Sequence, residues 1–442
     1  MSVGSSSAQE AAHLLRVPCG VHFVQQAGAI SRTRGAPQRT VSGSAAPAPG
    51  VRALGPPYDI VIHYCPTFPY NFSVNPFNYQ SPVGSARLID RRKELDELQR
   101  AAADRTAIRL AAPRRFGKTT ILDAHIDAMR AVGHRGVRVD FSRVATVSDA
   151  AARVAHAYSA LPGDPSRSIG RWVARLGISA GVGPVTVRMR RPAARPSPDE
   201  ARTGLLEMLD VPRALAERDG GLTVVCFDEF QDLLVADDSL DGLVRSVIQH
   251  HGEAAAYVFA GSQPSLMRAL FSDQERPFYG QARPLDLPFL PMVEAAADIA
   301  ALMDADGLLA RAGNAVDELL AFTRGHPQRT MLLAHHLYNV LDADDEVDDP
   351  TLEAIERGLR ETHDAHQALW DSLARVERLV CLALADGQAP TGTRVAEEHR
   401  VARSTLQDAL GRLLADGRQV RRRKDGSPYL LDPLWAEWLR RS

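Results

Sequence analysis

At 442 residues, with an apolar fraction of 45%, the chain is long enough for two or three ordinary globular domains. Its 52 lysines and arginines nearly balance 54 aspartates and glutamates, for a net charge of −2. This excludes a bulk electrostatic pull toward nucleic acid or membrane and leaves such roles to local patches. Four widely spaced cysteines, Cys19, Cys65, Cys226 and Cys381, exclude a disulfide framework and a paired-cysteine zinc site. With no apolar stretch long enough to span a bilayer and no secretory pattern, the expectation is a soluble, cytoplasmic protein without a membrane partner.

Residues 1–74 are rich in Ala, Gly, Ser and Pro, carry Glu10 as the only acid before Asp59, and lack any helical or strand period. That composition predicts a disordered segment. Its acid-poor, arginine- and serine-rich character also resembles an organellar transit peptide, though without an amphipathic helix. A translation start near Val74 is a further alternative, which the intact mass of the natural protein would decide.

Order is predicted to begin at Asn75-Pro76-Phe77. A helix follows Leu88–Leu95 and runs to about Ala103, then a strand from Ala107 to Ala112. A helix from Ile121 to Val132, a strand from Gly136 to Phe141 and a helix from Val147 to Leu161 continue the alternation. Strands alternating with helices predict right-handed crossovers and a parallel sheet covered on both faces.

Between that first strand and helix lies Ala112-Pro113-Arg114-Arg115-Phe116-Gly117-Lys118-Thr119-Thr120, a phosphate-binding loop whose first glycine is replaced by Ala112. Backbone N–H groups of such a loop curl around phosphates, and the helix N-terminus adds partial positive charge. Lys118 would reach the phosphates and the Thr119 hydroxyl would ligate Mg²⁺. Downstream, Leu222–Glu229 is an apolar run ending in two acids, as expected of a buried strand in a parallel sheet. Asp228 would complete the metal site and Glu229 would orient and polarise an attacking water.

Seven arginines and no acid lie between Asp164 and Asp199, around a glycine-bearing stretch, 178–187, that would form a small hairpin. Two accounts fit this insert: a solvated basic loop, or an anion-binding surface in which Arg188, Arg190 and Arg191 make the contacts. A helix from Leu240 to His251 precedes another buried strand, Ala256–Ser262. At the strand's carboxyl end, Ser262 and Gln263 would either sense the γ-phosphate or cap the next helix.

Residues 291–365 are helical in pattern. Gly325-His326-Pro327 interrupts them and starts a helix from Gln328 to Leu341, followed by an acidic stretch, Asp342–Asp349. The last part reads as a winged helix: helices Ala374–Ala385, Thr393–His399 and Ser404–Leu414, then a hairpin around Asp425-Gly426. Its wing carries Arg421, Arg422, Arg423 and Lys424, and the helix before it shows Ser404, Thr405, Gln407 and Arg412, beside Asp408. Such a module serves DNA or protein contacts.

Taken in order, Asn75-Pro76-Phe77, Ile89–Leu95, Pro113–Thr120, Phe227-Asp228-Glu229-Phe230-Gln231, Gly261-Ser262, Gly325-His326-Pro327 and Asp432-Pro433-Leu434-Trp435 resemble the archaeal-type ATPases of the STAND branch of AAA-like P-loop proteins. The resemblance spans residue 75 to the C-terminus. It implies an α/β fold: a five-stranded parallel ASCE P-loop domain (75–290), a helical lid (291–365) and a winged helix-turn-helix domain (366–442). It implies ATP with Mg²⁺ as ligand, held by Pro113, Arg114, Arg115, Phe116, Gly117, Lys118, Thr119 and Thr120. Ile89, Asp90 and Arg91 would flank the adenine, and Pro327 would close the lid over it. Family members carry an arginine after a Tyr-Gly pair; Arg283, displaced by two residues, is the nearest match for a γ-phosphate contact.

The expected function is a slowly hydrolysing ATP switch that moves its lid and winged helix as ATP becomes ADP. The alternative is a DNA-binding regulator or DNA-coupled ATPase whose P-loop domain senses nucleotide or supports assembly. Duplex DNA or a protein would be the partner of the winged helix, and a nucleotide-dependent oligomer is compatible with either.

Overall fold

The computed structural model of the chain describes residues 74–80, 88–161, 197–343 and 347–442. The segment before Val74 and the arginine-rich insert, with its expected hairpin and Arg188, Arg190 and Arg191, lie outside the described residues.

Helix α1 (Arg92–Ala103) leads into strand β1 (Ile108–Ala111), helix α2 (Lys118–Ala131), strand β2 (Arg135–Asp140) and helix α3 (Val147–Tyr158). After the insert come α4 (Pro198–Leu209), α5 (Val211–Asp219), β3 (Thr223–Asp228), α6 (Leu240–Ile248), β4 (Ala255–Gly261), α7 (Pro264–Ser272) and β5 (Arg283–Asp286). The five strands pair in parallel in the order β2-β3-β4-β1-β5. β3 and β4 are buried along their whole length, which explains why each is an unbroken apolar run rather than an alternating one.

On one face of the sheet Phe227, Phe230, Phe259, Phe271 and Phe278 pack ring against ring beneath α3, α4 and α6. On the other, Ile108, Leu110, Ile121, Leu122 and Val258 form a second core that takes in Cys226 as a small buried residue. Neighbouring strands lie about 4.8 Å apart, so inserting β4 separates the ends of β1 and β3 by roughly 10 Å. The end of β4, Gly261-Ser262, lies between them.

The helical region that follows comprises α8 (Met292–Asp304), α9 (Ala315–Thr323), α10 (Pro327–Asp342) and α11 (Pro350–Ser372). Then come α12 (Arg375–Ala385), α13 (Thr393–Glu398), α14 (Arg403–Asp416), an antiparallel hairpin of β6 (Val420–Arg422) and β7 (Pro428–Leu430), and α15 (Pro433–Arg441). The order is thus three helices, a hairpin and a closing helix. A single core joins the two groups, from Leu319, Leu333 and Leu337 through Leu359 to Val380, Leu406 and Trp435. Because α11 runs unbroken through residue 365, a division made at a connection falls instead at Leu373 and Ala374. No helix among the described residues is long and apolar enough to cross a membrane.

His125 on α2 is fully buried, and neither of its ring nitrogens has a partner among the described residues. Burial lowers its pKa from 6.5 to about 4, so the fold holds the neutral ring. An unfolded chain binds that proton near pH 6.5. The folded-state pKa is thus the lower one, and stability falls as pH drops from about 6.5 toward 4. At pH 5 the expected loss from this group is on the order of 2 kcal/mol. Urea midpoints at pH 7 and pH 5 should show it, and His125→Gln should flatten the slope; an unaltered slope would remove His125 from the account.

Candidate functional site

The chain leaves β1 at Ala112, whose N–H still donates to the Gly261 carbonyl at 3.3 Å. Ala112 keeps a negative φ, so a methyl group at the first loop position carries no backbone strain. Gly117 is different: at φ 82° it occupies the left-handed region and forms the N-cap of α2. Helix α2 therefore begins at Lys118, three residues before the expected Ile121, with Lys118, Thr119 and Thr120 in its first turn. Their N–H groups are among those a helix N-terminus leaves free for an anion.

Lys118 is buried, and its Nζ donates to the Ala112 and Pro113 carbonyls at 3.1 Å each, 4.0 Å from Glu229 Oε1. Burial lowers its pKa against the raising effect of Glu229 and Asp228. The Thr119 hydroxyl donates to Asp228 Oδ2 at 3.1 Å, so the end of β3 and the start of α2 meet across the β4 terminus. Burial and the neighbouring Glu229 charge raise the Asp228 pKa, opposed by Lys118, Thr119 and Arg138.

Glu229 sits in the left-handed region at φ 51°, a conformation that costs a non-glycine residue energy and is commoner at functional sites. Its Oε2 accepts from the Ser262 N–H at 2.9 Å and the Gln231 side-chain amide at 2.7 Å. Burial alone would raise its pKa, but these donors and Lys118 outweigh that and hold it below the usual carboxylate range. The group is an aimed, ionised carboxylate. Ser262 acts here through its backbone N–H, and it does not cap α7.

A cavity of about 510 Å³ opens beside this cluster. Arg114, Arg115, Phe116, Gly117, Lys118, Thr119, Thr120 and Glu229 line one end, and Ile89, Arg91, Leu290, Pro327 and Met331 line the other. Pro113, Asp228 and Ser262 stand behind the wall and hold Lys118, Thr119 and Glu229 respectively. Asp90 also lies outside the lining: its N–H donates to Asp298 of α8 at 2.8 Å, in a turn where both Asp90 and Arg91 have positive φ. The Arg91 guanidinium is held by Glu94 and the Pro288 carbonyl. Gly325 fixes the turn into α10, because a side chain there would meet the Leu290 carbonyl oxygen at 2.2 Å.

Arg283 is not brought to this site. It is the first residue of β5, paired with Ile108, whereas the phosphate loop follows Ala111 at the opposite end of that register. Its guanidinium pairs with Glu97 at 3.3 Å on the surface. Residues that spacing did not single out do line the cavity: Ser142 and Arg143 after β2, and Asp232, whose carboxylate accepts from the Arg143 N–H at 2.9 Å. Arg138 adds a cation 3.7 Å from Asp228, through a register that pairs it with Cys226. Gln231 had a sequence signal, its place two residues after Glu229; Arg138 and Arg143 had none.

The loop also touches the C-terminal region. Phe116 packs on Phe289 and His326, Phe289 packs on Tyr429 of β7, and Leu431 shares a core with Ala112. Arg329 of α10 is buried against Asp432, with Nε 2.9 Å from both carboxylate oxygens. Asp432 in turn caps α15 by accepting from the N–H groups of Leu434 and Trp435. Burial would raise the Asp432 pKa, but Arg329, with His366 nearby at 3.9 Å, holds it well below the carboxylate range. Breaking a buried pair strands a charge at a cost of about 3–5 kcal/mol. Asp432→Ala should therefore lower the urea midpoint sharply, and Asp432→Leu combined with Arg329→Met should cost less than the sum of the two single changes. Additive losses would show the pair to be uncoupled.

Neither a protein-family description nor a curated protein matches the sequence. Solved structures do resemble the fold. The Walker-type ATPase PABY2304 of Pyrococcus abyssi superposes with a TM-score of 0.59 at 16% identity, covering 83% of this chain and 99% of that one. The ORC2 protein of Aeropyrum pernix gives 0.49 at 14% identity, over 80% and 92% of the two chains. Cdc6p of Pyrobaculum aerophilum gives 0.41 at 15% identity, over 82% and 97%. At such identities the likeness is one of fold: this chain has the α/β architecture of a P-loop ATPase domain joined to a helical region.

Proposed function

We propose that the chain binds ATP with Mg²⁺ in the cavity between the sheet and α10, hydrolyses it slowly, and uses the nucleotide state to alter how the helical and C-terminal regions sit on the sheet. The observation that carries this reading is the convergence of Lys118, Thr119, Asp228 and Glu229 at a cavity that Ile89, Leu290, Pro327 and Met331 also line. The residues fit the ligand: a buried lysine whose hydrogen bonds go to loop carbonyls, a free helix N-terminus, and a hydroxyl–carboxylate pair of the donor type that suits Mg²⁺.

Thr119 and Asp228 would hold the metal, which neutralises phosphate charge when bound. Lys118 would exchange its two carbonyl contacts for phosphate oxygens. Glu229, fixed by Ser262 and Gln231, would orient and polarise a water. Ile89, Arg91 and Pro327 would enclose the base. Residues 75–290 would then act as the sheet domain, the helices from α8 through α11 as the lid and the segment from Ala374 onward as a winged-helix output, and a nucleotide touching both sheet and lid would bias their arrangement.

With Arg283 at the far end of β5, its γ-phosphate role falls to another cation, and Arg143 is exposed at the cavity wall. Arg143→Ala should lower turnover about tenfold or more, whereas Arg283→Ala should leave it unchanged; the opposite ranking would restore Arg283. The test of the whole reading is ATP turnover by the full chain with Mg²⁺, with and without duplex DNA, using Lys118→Ala as blank. Turnover no greater than the blank would overturn it.

The DNA-coupled alternative draws on the exposed first half of α14, where Arg403, Ser404, Thr405 and Gln407 face solvent. Acceleration by duplex DNA, with affinity falling steeply as salt is added, would support it.

A further inference from the structure

A second cavity, of about 1250 Å³, lies between the end of α9, the wing hairpin and helices α12, α14 and α15. It exceeds the roughly 300–1,000 Å³ that encloses a small molecule, which points to a length of polymer. Its floor is apolar, including Phe289, Phe322, Leu410 and Leu430. Around that floor stand Arg324, Arg422, Arg423, Lys424 and Arg440. Among the described residues, Glu437 is the only acid in the wall, and its carboxylate is already engaged by Arg440 and Arg441. Arg324, Arg422, Arg423 and Lys424 form no ion pair among the described residues. Arg423 lies over the Tyr429 ring at 5.3 Å, which holds its charge at the cleft mouth.

We infer that this cleft is a docking site for an acidic, apolar-containing peptide segment of a partner protein. Complementarity of charge names the acidic residues, which would face the four cations that stand outside any ion pair among the described residues. The apolar floor names the hydrophobic ones, since burying such surface drives peptide association. A duplex reader needs its wing cations to project beside the recognition helix. Here Arg422, Arg423 and Lys424 line the same cavity as Arg324, and of the exposed polar residues singled out on α14 only Gln407 reaches it. Phe289 belongs to this cleft and also touches Phe116 of the phosphate loop at 5.5 Å, so an occupant would adjoin the nucleotide site.

The experiment is panning of a displayed random dodecapeptide library against the immobilised full chain, followed by anisotropy of the enriched peptides labelled with fluorescein. The expected result is enrichment of peptides in which acids flank apolar residues. Affinity should fall tenfold or more with Arg423→Glu/Lys424→Glu and severalfold with Lys424→Glu alone, a solvent-facing change that leaves the fold intact. Binding should persist in Lys118→Ala, which separates this site from the nucleotide reading. No enrichment, peptides without acids, or affinity indifferent to charge reversal would overturn the inference. So would a dT12 oligonucleotide that binds more tightly than the peptides and displaces them, which would assign the cleft to nucleic acid.

Discussion

Replacing Glu229 with Gln is expected to leave ATP affinity within a few-fold of the natural protein while lowering turnover by roughly 10²–10⁴, the usual worth of a positioned general base. The geometry makes this a clean substitution. Gln keeps the shape, and its carbonyl oxygen can still accept from the Ser262 N–H that holds Oε2 at 2.9 Å. What it loses is the negative charge, which the Ser262 and Gln231 donors and Lys118 stabilise against burial in the folded protein. Single-turnover hydrolysis and equilibrium nucleotide binding, measured on the same preparation, separate the two effects. Turnover equal to that of the natural protein would remove Glu229 from the mechanism.

Lys118→Ala should instead abolish binding itself. A hydrogen bond to a charged group contributes about 1.5–3 kcal/mol, so two phosphate contacts together correspond to a loss of affinity of roughly 10²–10⁴. In the structure Lys118 is buried, its Nζ is shared between two loop carbonyls, and its side chain is 4.0 Å from Glu229. Removing it leaves those carbonyls facing the phosphates and Glu229 without its nearest cation, both of which repel the ligand. Calorimetric titration with ATP and Mg²⁺ is the direct measurement. Affinity within tenfold of the natural protein would show that the loop backbone alone holds the nucleotide.

These two changes concern residues whose place was legible in the chain, and there is a physical reason. A phosphate loop is a local object: a strand, a glycine at positive φ and a helix N-terminus within a dozen residues. Lys118 and Thr119 follow from that run directly. Asp228 and Glu229 follow from a strand buried on both faces, since a sheet interior demands a run that stays apolar until the chain emerges at its carboxyl end. The Gly325-His326-Pro327 turn was legible from its glycine and proline, whereas the close approach to Leu290 that bars a side chain at Gly325 is a tertiary contact.

Strand order and register were not legible, and they decided the rest. The order β2-β3-β4-β1-β5 sets Ser262 between the loop and Glu229, turning a polar residue of uncertain purpose into the backbone donor that aims the carboxylate. The same register sends Arg283 to the far end of β5 and brings Arg138 beside Asp228. Asp432 and Arg329, 103 residues apart, carried no pairing signal, because an ion pair between distant elements depends on how helices cross. The wing cations show the same division most plainly. The chain alone determined that four positive charges stand in a row; only tertiary packing decided that three of them line a concave cleft facing α9 while Arg421 lies half-buried near Asp286. Local sequence specifies conformations whose energies are settled within a few residues, and packing specifies which of those conformations face one another.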